Sequence, residues 1–156
     1  MPAAEVALIE SVVAGGRQFT AAGNGHDRVA ARARRVMAIR KALGGGRAFR
    51  GWIGKIGELS STPAGDAFVR IDLPDTSIGI GTWEDSAADA RDHTLIARSS
   101  RLCRRLADIG IGATVAFHGR FVPSAADFIA ESSLDEGGTM TSPTFVAHID
   151  DVRPYP

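Results

Sequence analysis

The reactive side chains of this 156-residue chain are few and scattered. Cys103 is the single thiol, so neither an intramolecular disulfide nor a cysteine-based metal site can form. It stands at helical spacing beside Leu102 and Leu106, where a small buried hydrophobe is expected. Use as a nucleophile would need a neighbouring histidine and a lowered pKa. His118 and His148 fall on two segments with a period of two, each opposite the main apolar residues. If those segments are adjacent strands, the imidazoles approach one another, and Asp150 could complete a metal site or a small hydrolase centre. Unclustered histidines on outward faces are more often plain polar surface. His26, in a turn, and His93, in a polar connection, have no partner at ligand spacing.

The acids Glu84, Asp85, Asp89 and Asp92 share the composition of a calcium loop without its alternating ligands, central glycine or closing Glu. A solvated connection with a helix N-cap accounts for them. No GxxxxGK[ST] loop, HExxH helix or GxSxG elbow occurs. No enzyme activity, metal or cofactor is therefore expected.

A binding surface has more support. Phe68 and Arg70 share the non-core face of one predicted strand, Trp83 ends the next, and His118 and Arg120 share a face on a fourth. Aromatic and basic side chains so interleaved suit single-stranded nucleic acid, where stacking is worth about 1–3 kcal/mol per base. Arg28, Arg32 and Arg35 follow one another along a helix and could meet phosphates, and Phe128 lies in a long connection near the same groove. Against this, aromatic residues make up only 6% of the chain. In the competing expectation, Phe68 and Trp83 lie beneath the N-terminal helices, against Val36 or Ile39.

Zero net charge conceals a division. Residues 1–55 carry ten basic and three acidic side chains, a net +7, and residues 56–156 carry the balancing −7. The two parts can attract each other within one molecule, or the basic part can seek phosphates or an acidic partner.

The elements that must position these groups change period at Gly44-Gly45-Gly46. Before it, Val6, Ile9, Val13 and Phe19 recur as on a helix from Ala3 to Ala22, weakened by Gly15-Gly16. A second helix is predicted from Arg28 to Leu43, N-capped by Asp27, with Val29, Val36, Ile39 and Leu43 as its apolar stripe. Residues 1–46 thus form a helical hairpin. Residues 47–156 read as strands at 51–59, 67–73, 77–83, 113–122 and 144–152, with an amphipathic helix from about Ser99 to Ile109. Gly54 and Gly57 suggest a bulge or corner in the first strand.

Three strands, a helix, then two strands is the order of an OB-fold, a five-stranded barrel that Leu102, Leu106 and Ile109 would stopper. An SH3-like barrel or split β-sandwich is the competitor. The 123–143 connection is unusually long and is expected to form a hairpin extension, turning at Asp135-Glu136-Gly137-Gly138.

Trp52-Ile53-Gly54, Gly81-Thr82-Trp83, Asp92-His93-Thr94-Leu95-Ile96, Phe117-His118-Gly119-Arg120-Phe121, Glu131-Ser132-Ser133-Leu134 and Pro143-Thr144-Phe145 together resemble a family of small bacterial proteins with an OB-like domain and a helical lead-in. More loosely the chain is similar to the tRNA-anti-like OB group. The resemblance spans nearly the whole sequence, implies the fold, and brings no motif tied to catalysis. Its members are often exported, whereas Met1 to Glu5 carry no basic leader, so the chain as written is expected in the cytoplasm. A mature periplasmic or secreted protein would read the same way. A protein partner or a second copy of the chain is the expected ligand, nucleic acid is the alternative, and no membrane span is expected.

Overall fold

The structure, a computed structural model, describes residues Met1–Pro156. In chain order the elements are α1 (Ala3–Ala21), α2 (Gly25–Ala42), β1 (Ala48–Ser61), β2 (Ala67–Asp72), β3 (Gly79–Gly81), α3 (Ser86–Asp89), α4 (Arg101–Ile109), β4 (Thr114–Phe121), β5 (Pro123–Ser124), β6 (Phe128–Ile129), α5 (Glu136–Thr141) and β7 (Thr144–Pro154). No helix is long and apolar enough to cross a membrane.

Five strands close a barrel in the order β1-β2-β3-β7-β4, and β4 returns to β1. The β3–β7 pair is parallel and the remaining pairs are antiparallel. This is the OB-fold-like barrel read from the sequence, with α4 between the third and fourth barrel strands and the α1–α2 hairpin ahead. The 14-residue β1 makes closure possible, because its first half pairs with β4 and its second half with β2. Its register slips between Ile56 and Glu58, leaving Gly57 as the bulged residue, and again between Phe49 and Trp52. In the second bulge Gly51 takes φ +65°, a conformation that favours glycine.

The strand alternation places Val69, Ile71, Val115, Phe117, Phe121, Phe145, Ala147 and Ile149 in one core of 23 buried residues. Leu106 of α4 enters that core, with Leu102, Cys103 and Ile109 packed against it. Phe49, Trp52, Phe117, Phe121 and Phe145 form an aromatic knot, with ring centroids 4.8–6.3 Å apart.

Helix α1 departs from its expected face, whereas α2 largely keeps its own. On α1 the buried residues are Glu5, Leu8, Val12, Gly15 and Gly16, not the Val6, Ile9, Val13 and Phe19 stripe. On α2 they are Ala31, Arg35 and Ile39; of the expected stripe Ile39 is buried and Val36 and Leu43 pack against the core, while Val29 is 68% exposed. Small residues explain the shift on α1. A Cβ on Gly15 would come within 2.9 Å of the Arg35 side chain, and one on Gly16 within 2.8 Å of the Met140 carbonyl. The face that allows close approach wins over the most apolar one. The second helix also begins earlier than expected, since Asn24 caps it by accepting the Asp27 N–H at 2.8 Å.

The third strand is shorter than 77–83. Ser77 donates its hydroxyl to the Thr141 carbonyl and Ile78 N–H bonds to Thr76 Oγ1, which takes this end out of the ladder. The 123–143 extension holds only a two-residue hairpin, β5–β6. Its Asp135-Glu136-Gly137-Gly138 segment opens helix α5 instead of a turn, because the Asp135 carboxylate caps the Gly138 N–H at 2.6 Å.

Candidate functional site

The residues expected to meet a ligand fall into three places, and most are engaged internally. Phe68 is buried (4% exposed) outside the main core, so it offers no stacking face. The bridge between Ala67 and Ile96 lays the end of the 84–96 connection alongside the start of β2. Arg70 lies beside Gly79 and ion-pairs with Asp72 at 2.8 Å and Glu58 at 3.0 Å. Those two acids raise the Arg70 pKa, the Asp72 hydrogen bond contributing most, and leave no unpaired charge for a phosphate.

Trp83 is half-buried. Its indole N–H donates to Asp92 at 2.8 Å, and its backbone N–H donates to Thr94 Oγ1 at 2.9 Å. The connection after β3, not the helical hairpin, holds it. The acids of that connection have structural duties. Asp85 N-caps α3, and buried Asp89 accepts from the Thr94 N–H and hydroxyl and from the Leu95 N–H.

The helical arginines divide. Arg28 is exposed. Arg32 grips Asp127 with two parallel bonds of 2.8 and 2.7 Å and reaches Glu136 at 3.1 Å. The pair raises the Arg32 pKa and holds the Asp127 carboxyl below its usual range, chiefly through that forked hydrogen bond. Arg35, expected on the outer face, is buried (2% exposed) between Gly15 and the ring of Phe145, which lies 5.9 Å from its Cζ. It donates to the Thr139 carbonyl at 2.5 Å, its Nε has no partner, and burial lowers its pKa. The charge division between the two parts of the chain is thus used in part to bind the hairpin to the extension.

Phe128 is also a correction. It is buried (7% exposed) with φ +70°, between Arg40 and Arg47, whose Cζ atoms lie 5.3 and 4.1 Å from its ring centroid. Arg47 also donates to the Phe128 carbonyl at 2.8 Å. These bonds make the extension a seat for the α1–α2 hairpin.

His118 and His148 lie on the barrel strands β4 and β7. Arg120 of β4 stands opposite Ala48 of β1 and His148 of β7. His118 and Arg120 line a shallow hollow of about 270 Å³ with Arg50 and Asp150. His148 Nε2 is engaged at 2.6 Å by the Asp92 carbonyl, and no group of three His, Cys, Asp or Glu side chains is placed to hold a metal ion. Cys103 is half-buried against the core.

A concave surface that sequence reasoning missed lies between α1, the β2–β3 turn and α5. This groove of about 550 Å³ has Val12, Val13, Ile78 and Met140 as its apolar lining, with Arg17, Thr20, Asp75 and Ser77 among the polar ones. A second hollow of about 630 Å³ continues past the same turn, sharing Asp75, Thr76 and Ser77 and adding Lys55 and Thr114. Its signal in the sequence was slight: Gly16, which lets α5 approach α1, and the Pro74-Asp75 turn, where Asp75 takes φ +56°.

Comparison with family models, with curated proteins and with solved structures finds no match to this chain.

Proposed function

We propose that this chain is a non-enzymatic OB-fold interaction module that binds a protein partner or a second copy of itself through the groove beside α1. One observation carries the reading: the groove presents the exposed Val13 among Arg17, Thr20, Asp75 and Ser77, above the buried Val12, Ile78 and Met140, an apolar centre with a polar rim. Val13, 37% exposed at that centre, has no internal partner in the core.

Single-stranded nucleic acid is the second reading. Arg50, His118 and Arg120 favour it, since they line one hollow and neither arginine has an ion-pair partner. Internal use of Phe68, Phe128, Arg32, Arg35 and Arg70 weighs against it.

A photo-crosslinking residue at Val13, with the same residue at Arg104 of α4 as control, tests the first reading in the full chain. Adducts with a second copy or with one discrete protein, formed from Val13 alone, support the groove. Equal labelling from both positions, or none, overturns it. Short oligonucleotides binding with a steep log–log salt slope would move the assignment to the second reading.

A further inference from the structure

Glu5 is fully buried at the start of α1, yet its carboxylate has no ion-pair partner. Its two oxygens share one donor, the Ile53 N–H of β1, at 3.2 and 3.0 Å. This donor follows the β1 bulge at Phe49/Trp52, so the acid joins hairpin to barrel where the ladder is interrupted. A buried carboxylate with a single hydrogen bond is poorly compensated when charged. Burial pushes its pKa up to about 7, with the Ile53 N–H and the Met1 ammonium acting the other way. The Met1 ammonium is the one charge that acts on it, and no arginine or lysine pairs with Glu5.

The same hairpin carries a second under-partnered group in Arg35, buried with one acceptor and a bare Nε.

We propose that the N-terminal hairpin is a pH-sensitive latch, docked most firmly while Glu5 is protonated and loosened at the first turns of α1 when Glu5 ionises. Leu8, Val12 and Ile39, buried in the shared core, keep the hairpin from detaching. Loosening is local.

Hydrogen exchange of α1 amides in the full chain, corrected for intrinsic rates, tests this at pH 5 and pH 8. The α1 opening constant is expected to rise about 70-fold between them, with α1 opening more readily than β7 at pH 8. In Glu5→Gln the rise is expected to vanish. A pH-independent α1, an equal rise in Glu5→Gln, or α1 amides that open only together with β7 would overturn the latch. Carbon-13 titration of the Glu5 carboxyl in the unaltered chain is a second measurement. A midpoint near 7 supports the proposal, and one near 4.5 overturns it. The latch does not depend on the groove, because exchange reads α1 whether or not a partner binds.

Discussion

Gly15 of α1 vacates the space that the Arg35 side chain of α2 crosses: a Cβ at Gly15 would stand 2.9 Å from both Cγ and Cδ of Arg35. Glycine inside a helix is unfavourable by about 1 kcal/mol against alanine. At this position packing reverses that preference, since the crowded atoms belong to the base of a buried side chain. Gly15→Ala and Gly16→Ala are each expected to destabilise by roughly 1–3 kcal/mol, the range of overpacking. Gly23→Ala, with nothing within 4 Å, serves as the control. Urea unfolding midpoints check the order; a stabilised Gly15→Ala would mean that Arg35 moves aside freely.

Arg35 itself is buried with one hydrogen bond to a carbonyl and no direct carboxylate partner. A charge so placed stabilises mainly through its hydrocarbon stem, and its desolvation opposes folding. Arg35→Met, close in volume, is expected to match or exceed the parent in stability. Arg35→Ala should lose about 2–4 kcal/mol through the cavity it leaves. Thermal unfolding of the two variants separates packing from charge.

The forked Arg32–Asp127 bond ties α2 to the extension across a partly buried surface. Arg32→Ala is expected to destabilise by about 1–3 kcal/mol, more than an exposed pair would give. A double-mutant cycle with Asp127→Ala should return a coupling of on the order of 1 kcal/mol. Coupling near zero would mean that hairpin and extension are held by apolar contact alone.

Phe128 makes an analogous joint through its ring. Its face meets Arg40 and Arg47, so Phe128→Leu should retain apolar burial and lose about 0.5–2 kcal/mol of cation–π attraction. Arg47→Met, measured alone and in combination, isolates that share by the same kind of cycle.

Glu5 and Asp127 give stability opposite dependences on pH. The folded-state pKa of Glu5 is raised from 4.5 to about 7, so its contribution is fully present below 4.5 and is lost as pH rises through 7. The loss is on the order of 3 kcal/mol at alkaline pH. Burial of Leu8, Val12 and Ile39, at roughly 1.5–3 kcal/mol each, exceeds it, so the fold persists. Asp127 has a lowered folded-state pKa; its contribution is present above 3.8 and is lost as pH falls through that folded value. Unfolding free energies from pH 3 to pH 9 should therefore fall on both sides, and Glu5→Gln should flatten the alkaline side only.

The barrel was legible because alternation is local. Val69-Arg70-Ile71 and Val115-Ala116-Phe117 each declare an inner and an outer face without reference to the rest of the chain, and α4 sits where its apolar spacing and the strand order put it. The candidate surface was not legible in this way. Whether an arginine is free depends on acids that lie far along the chain: Asp127 is 95 positions from Arg32, and the carbonyl that receives Arg35 is 104 positions away. The fate of Phe68 and Phe128 was equally hidden, since the segments beside them come from other parts of the chain. Residue order alone therefore determined strand, helix and barrel, which rest on short-range periodicity. Only the tertiary structure decided which helix faces are buried, which cations are neutralised and where a groove remains, because pairing and burial are properties of groups that folding brings together.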